Sequence, residues 1–173
     1  MNLRILLLLT LAFFAVAMPC SAQTGTVTFY SIALSAKQEI RDAVMPVGTA
    51  PYTGWLFDGD QRMAHAQRGR FMTFQLAAGE HQFTVPYHSN GLGKTTLHLK
   101  IEDGDHYCIR LSAKYLSGSP FLPVVALLDS QIDLVTCQQA LKEAGSYKPI
   151  EVKRVDPAVR KELESSLSFP KDN

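Results

Sequence analysis

The chain reads as a mostly β protein, an antiparallel β-sandwich with a short C-terminal helix packed on the sheet and a second terminal helix. Three observations predict this. Apolar residues recur at every second position in short segments between residues 55 and 111. Those segments are separated by Asp-Gly or Ala-Gly turn signals about ten residues apart, the rhythm of sheets that stack or close on themselves. Well-capped helical spacing is confined to the residues after Thr136.

Thr26 to Ile32 (TVTFYSI), rich in β-branched and aromatic residues, is expected to be the first strand. Leu34 to Gly54 loses that character. Ile40 and Val44 would support one or two helical turns, and Pro46, Gly48, Pro51 and Gly54 interrupt whatever forms, so the segment reads as a long loop with a weak helix. Trp55 to Ala66 holds two short runs around Asp58-Gly59, a pair suited to a tight primed hairpin turn. Met72, Phe74 and Leu76 alternate on the next strand, Ala78-Gly79-Glu80 turns it, and His81, Phe83, Val85 and Tyr87 continue the alternation. Thr95, Leu97, Leu99 and Ile101 alternate cleanly with Lys94, Thr96, His98 and Lys100, before Asp103-Gly104-Asp105 turns the chain into Tyr107, Ile109 and Leu111. Pro123 to Leu128 (PVVALL) has the continuous apolar character of a doubly covered strand, with Gln131 to Val135 pairing beside it. Thr136 as N-cap, Gln139 as its capping-box partner and Gly145 at the end bracket a helix over 137–144. Asp156 as cap and Pro157 in the first turn open a last helical pattern through Val159, Leu163 and Leu167, and Pro170 precedes a frayed end.

Residues 1–22 read as a signal peptide, with Arg4 as the positive n-region, Ile5 to Ala17 as the apolar stretch, and small residues at Cys20 and Ala22 placing cleavage before Gln23. A secreted or periplasmic protein follows. Cys20 keeps a second reading open, the acylated cysteine of a lipoprotein anchored in the outer envelope, although Pro19 and Ala17 fit that site poorly. Membrane contact is expected only if Cys20 is lipidated. The remainder divides into a β-sandwich domain with its helix over 23–150 and a partly helical tail over 151–173.

The chain has 17 Lys+Arg and 16 Asp+Glu, and loss of Arg4 with the leader balances them. Neither the basic surplus of a nucleic-acid binder nor a polybasic membrane-binding run is present. In an oxidising compartment the two cysteines beyond the leader, Cys108 and Cys137, are expected to form a disulfide, and they lie too far apart for a C-x-x-C redox pair. Closing that loop would stabilise the fold by roughly 3 to 4 kcal/mol. Cys108 points away from the face carrying Tyr107, Ile109 and Leu111, so the bridge would pin the 137–144 helix on the opposite side of the sheet.

No motif specifies chemistry. Gly93-Lys94-Thr95 imitates the end of a phosphate-binding loop, but His88 occupies the place of its first glycine and the segment leads into a strand. His65, His81, His88, His98 and His106 lack metal-ligand spacing, though strand pairing could bring two of the last four together. The Asp-Gly-Asp triplets at 58–60 and 103–105 are explained by turns before calcium. No nucleophile elbow occurs. The expectation is therefore no enzyme, no cofactor and no resident metal. Tyr52, Trp55 and Phe57 cluster in sequence as possible ligand contacts: an exposed aromatic shelf would favour a ligand binder, and burial of Trp55 a contact or structural role.

Trp55-Leu56-Phe57-Asp58-Gly59, Gly69-Arg70-Phe71 and Leu76-Ala77-Ala78-Gly79-Glu80-His81 together resemble the PEGA-type and related uncharacterised lipoprotein domains of bacteria, with Cys108 to Leu111 (CIRL) as a following strand. The resemblance covers about a third of the chain beyond the leader. It implies a small β-sandwich outside the cytoplasm and no catalytic residues. The 34–54 segment, the two cysteines and the C-terminal helices depart from that pattern. The function expected is that of an exported, non-catalytic protein-interaction or structural module of the bacterial cell envelope, its partner an envelope protein or glycan. The alternative is a small-ligand or glycan-binding module built on Tyr52, Trp55 and Phe57.

Overall fold

The computed structural model describes residues 23–33, 49–86, 93–116 and 127–163. The leader with Cys20, the weak helix around Ile40 and Val44, Tyr87, His88, residues 123–126 and Leu167 lie outside the described residues.

Two sheets pack face to face. Among the described residues the strands are β1 (Thr24–Ser31), β2 (Thr49–Pro51), β3 (Trp55–Asp58), β4 (Gln61–His65), β5 (Arg70–Ala77), β6 (Gly79–Pro86), β7 (Lys94–Ile101), β8 (His106–Leu116), β9 (Leu127–Val135) and β10 (Lys148–Pro149), with one α-helix, α1 (Cys137–Ala144). The six-stranded sheet runs β10-β5-β1-β8-β2, with β9 also on β8. Since β9 pairs with 108–116 of β8, β1 (facing 106–111) and β2 (facing 112–114) share its other edge in succession. The four-stranded sheet runs β4-β3-β6-β7.

The expected turns at Ala78-Gly79-Glu80 and Asp103-Gly104-Asp105 are present, but they do not close hairpins. Each is a corner at which the chain changes sheets, from β5 to β6 and from β7 back to β8. Gly79 (φ 145°) and Gly104 (φ 77°) take backbone angles that a side chain would strain. Both corners are tied to the start of β1: Ala78 N–H donates to Gln23 O at 2.8 Å and Gly104 N–H to Thr24 O at 2.9 Å. Gly25 sits where the second corner crowds in, and a Cβ there would lie 2.5 Å from Ile101 Cγ2 and 2.7 Å from Glu102 O. The return through the second corner also makes β8 parallel to β1, and β10 pairs parallel with β5, while the other pairings of this sheet are antiparallel.

The core lies between the sheets. Phe29 of β1 meets Phe83 of the facing sheet edge to face at 4.9 Å and Phe74 of its own sheet at 6.3 Å. Such ring pairs contribute about 0.5 to 1.5 kcal/mol beyond the area they bury. Met72, Phe74, Leu76, Ile109 and Leu111 all point into this layer, as their alternation predicts.

A second apolar layer covers the outer face of the six-stranded sheet, where Tyr30, Phe71 and Cys108 receive Ala140 and Ala144 of α1. The Cys108–Cys137 disulfide joins sheet to helix with a Cα separation of 5.2 Å, on the side the alternation of β8 predicts. Thr136 caps the helix through Gln139 N–H at 3.1 Å. The capping box is only half formed, because the Gln139 amide donates to Glu143 instead. Gly145 is right-handed (φ −62°), and its smallness answers the close approach of Leu141 O, 2.5 Å from where a Cβ would stand.

Three further expectations are corrected. Residues 49–51, read as loop, form β2, a short strand whose Pro51 costs little because one edge pairs with β8 alone. Gln131 to Val135 does not pair beside the preceding apolar run. It belongs to one strand from Leu127 onwards, and the hydroxyl of Ser130, donating to Pro86 O at 2.9 Å, makes burial of that polar residue tolerable. The terminal helix is a 3-10 helix over Pro157–Glu162, capped by Asp156 as expected. Only Val159 of it is buried, and the next residue, Leu163, turns into a bridge with Phe74 instead of extending an apolar stripe. A shorter 3-10 turn covers Val152–Arg154. Together these turns place Val155 and Val159 in the main core.

Candidate functional site

Period-two geometry gives the four-stranded sheet an inner and an outer face. Leu56, Phe83 and Val85 go inward, so Trp55, Phe57 and Thr84 go outward. Trp55 is partly buried. The guanidinium of Arg62 lies 4.4 Å above its ring, and His65, directly across the strand pair, meets it edge-on at 5.3 Å. Arg62 is held in turn by Asp156 at 2.8 Å. The Arg62 charge and the Ala158 N–H bond keep the Asp156 carboxyl below the usual carboxylate range, the backbone bond contributing most. The 3-10 turn of the tail therefore positions the cation that covers the tryptophan.

Beside this cluster runs a groove of about 610 Å³ bordered by Phe57, Asp60, Gln82, Thr84, Pro86 and Lys94. Thr84 and Thr96 share a hydrogen bond at 3.1 Å across β6 and β7. The groove combines one apolar ring with donors, acceptors and charges of both signs, a lining suited to a polar partner with an apolar face.

Of the three aromatic candidates, Trp55 and Phe57 share this face and Tyr52 does not. Tyr52 is fully buried in the core, its hydroxyl donating to Trp55 O at 3.0 Å, and burial pushes its phenol pKa up. A ligand cannot reach it without unpacking the sandwich, so the expectation for Tyr52 is corrected. β2 draws it inward: Ser31 Oγ donates to the Tyr52 carbonyl at 2.6 Å, directing the chain under the sheet. Arg62, Gln82 and Thr84 carry no motif of their own, and Lys94 belongs only to the Gly93-Lys94-Thr95 imitation of a phosphate loop, which opens β7 instead of a helix. Their alternation with inward residues places them on one face, and only the strand pairing makes them neighbours.

The four described histidines are distributed, not clustered. His81 lies at the rim between the sheets, Nδ1 2.5 Å from Asp58 Oδ2 and Nε2 2.8 Å from Ala77 O. Asp58 also accepts from Gln82 N–H at 3.1 Å, so this carboxylate secures the β3–β6 pairing. His98 stands opposite Gln82 while His81 stands opposite Leu99, which puts the two rings on opposite faces of the sheet. His106 Nε2 is 3.0 Å from Thr28 Oγ1 on the six-stranded sheet. A ring nitrogen of His106 and the sulfurs of Cys108 and Cys137 come within 4.8 Å of one another, but the sulfurs are bonded together and so are not thiolate ligands. In the other triplet, Asp103 accepts from Thr24 N–H and Asp105 from the Tyr107 hydroxyl. Both Asp-Gly-Asp triplets thus hold strands to turns.

A half-buried polar network ties α1 to the sheet. The Tyr30 hydroxyl donates to Glu143 at 2.7 Å, and Arg110 reaches Asp133 at 3.1 Å and Glu143 at 3.4 Å. Burial, then the bond to Glu143, push the Tyr30 pKa far up. Burial alone would raise Glu143, but the Tyr30 hydroxyl, the Gln139 amide and the Arg110 charge outweigh it and hold the carboxyl below its ordinary range.

No family model, curated protein or solved structure matches the chain. Among the described residues no helix is long and apolar enough to cross a membrane.

Proposed function

We propose that this chain is an exported, non-catalytic β-sandwich domain of the bacterial cell envelope that works by contact with another protein, through the outer face of the four-stranded sheet. The observation that carries this reading is Trp55, half-buried under Arg62 and against His65 instead of standing free as an aromatic shelf, on the same sheet face as Phe57. Tryptophan and arginine together, held in place before binding, are the residues that most often dominate interface energetics. The disulfide suits an oxidising compartment, and the PEGA-like turn-and-strand pattern agrees with an envelope location.

The alternative reading, a small-ligand or glycan binder, now rests on Trp55 and Phe57 without Tyr52. It is favoured by the groove, whose Asp60, Gln82 and Lys94 could hydrogen-bond hydroxyl groups around the Phe57 ring.

Site-specific photocrosslinking in intact envelopes tests the proposal. A crosslinker at Arg62 or Gln82 should capture a discrete protein, and one at Lys142 of α1 should not. Equal capture from both positions, or from neither, would remove the outer sheet face as the contact surface. Saturable binding of soluble glycans, abolished by Phe57→Ala, would establish the alternative.

A further inference from the structure

A second cleft, of about 440 Å³, opens where the loop after β4, the start of β5 and the first 3-10 turn of the tail meet. Three arginines border it, Arg68, Arg70 and Arg154, together with His65 and Glu151. Arg154 lies far in sequence from Arg68 and Arg70, and the chain as a whole is nearly neutral, so bringing the third guanidinium beside the other two is a product of the fold.

From these observations we infer that this cleft is a binding site for a phosphate-type oxyanion. Three features support it. The Nε–H of Arg154 is buried with no hydrogen-bond partner, a costly state for a charged donor and one that a small turn of the side chain toward a bound anionic oxygen would relieve. Arg70 is braced by donation from Nη1 to Pro149 O at 3.3 Å, which holds a guanidinium at the cleft with donors to spare. Glu151, the one acid bordering the cleft, is shared with Lys153 at 2.7 Å, so a single carboxylate stands against three guanidinium groups there. The field they create is visible on Glu151 itself: the Lys153 hydrogen bond and charge lower its pKa most, and Arg154 and Arg70 lower it further. Planar guanidinium groups match the tetrahedral oxygens of phosphate through paired N–H donors, as a lysine cluster would not.

The site is separate from the proposed contact face in its ligand chemistry, although His65 borders both, and it stands or falls independently of a protein partner. The test is a titration of the full chain, isotopically labelled, with inorganic phosphate, followed by amide NMR. Saturable shifts are expected at Gln67 to Arg70 and at Arg154, weakening as salt rises. Arg154→Gln and Arg68→Gln, both at turns, should each reduce phosphate affinity at least about 10-fold while leaving the shifts of the core strands in place. A parallel arm uses vesicles of phosphatidylglycerol against phosphatidylcholine: binding to the first alone, lost in the same variants, identifies the phosphate source as a lipid headgroup. Vesicle binding by neither, with phosphate shifts present, identifies a soluble phosphate ligand. Shifts that fail to saturate, that spread over all surface residues, or that persist unchanged in both arginine variants would overturn the inference.

Discussion

The hydroxyl of Tyr30, near the end of β1, donates to Glu143 of α1 at 2.7 Å, across 113 positions of sequence. This bond and the Cys108–Cys137 disulfide hold the two ends of one short helix to the outer face of the six-stranded sheet. An eight-residue helix has little stability of its own, so its order depends on these tertiary ties.

Tyr30→Phe keeps the ring packed against Ala140 and Ala144 and removes the donor alone. It should lower stability by about 1.5 to 3 kcal/mol, the range for a hydrogen bond to a charged group. Urea unfolding measures this as a lower midpoint with an unchanged slope, and an unaltered midpoint would show that Arg110 and Gln139 suffice for Glu143.

The same carboxylate predicts a pH dependence. The Glu143 pKa is lowered in the folded chain, so its contribution is present above the ordinary carboxylate range and is lost as pH falls through the folded value. Wild type should be more stable than Glu143→Gln at neutral pH, and the gap should close in acid. Urea midpoints for both proteins across that range check the sign: a gap that widens in acid is the opposite result.

Non-reducing peptide mapping should recover Cys108 linked to Cys137. Replacing both by alanine should cost about 3 kcal/mol, mostly through the unfolded chain. The double variant should also lose protection from amide exchange in α1 before it loses protection in β1 or β5, since the covalent tie is specific to the helix. Uniform loss across the domain would mean that the helix and sheets unfold as one unit.

Gly25→Ala tests the second corner. Its Cβ would meet the side chain of Ile101 and the backbone of Glu102, and backbone cannot rotate out of the way. Destabilisation of about 1 to 3 kcal/mol is expected from such overpacking. Thermal unfolding of the purified variant measures it, and a neutral result would show that the corner at 101–105 has more room than its hydrogen bond to Thr24 indicates.

Much of the fold was legible because its signals are local. The alternation of Thr95 to Ile101 needs only a two-residue period, the cap at Thr136 only the residues just after it, and Cys108 with Cys137 only a count of cysteines and the side of β8 that each residue faces. The 3-10 character of 157–162 was not legible. Asp156 and Pro157 start a 3-10 helix as readily as an α-helix, and the choice followed from Leu163 bridging to Phe74. The candidate site was half legible: Trp55 and Phe57 stood out as aromatics, whereas Arg62, Gln82 and Lys94 look like ordinary solvated residues until the strands pair.

From its residues alone this protein was bound to be strand-rich, turn-punctuated and crosslinked once, because pleat, turn geometry and sulfur pairing follow from short stretches of chain. Tertiary structure alone decided which sheet each strand joins, that Tyr52 faces inward while Trp55 and Phe57 face outward, and that Arg68, Arg70 and Arg154 converge. A period of two says that a side chain meets a core but not from which side, and charges far apart in sequence become neighbours only when corners such as Gly79 and Gly104 return the chain.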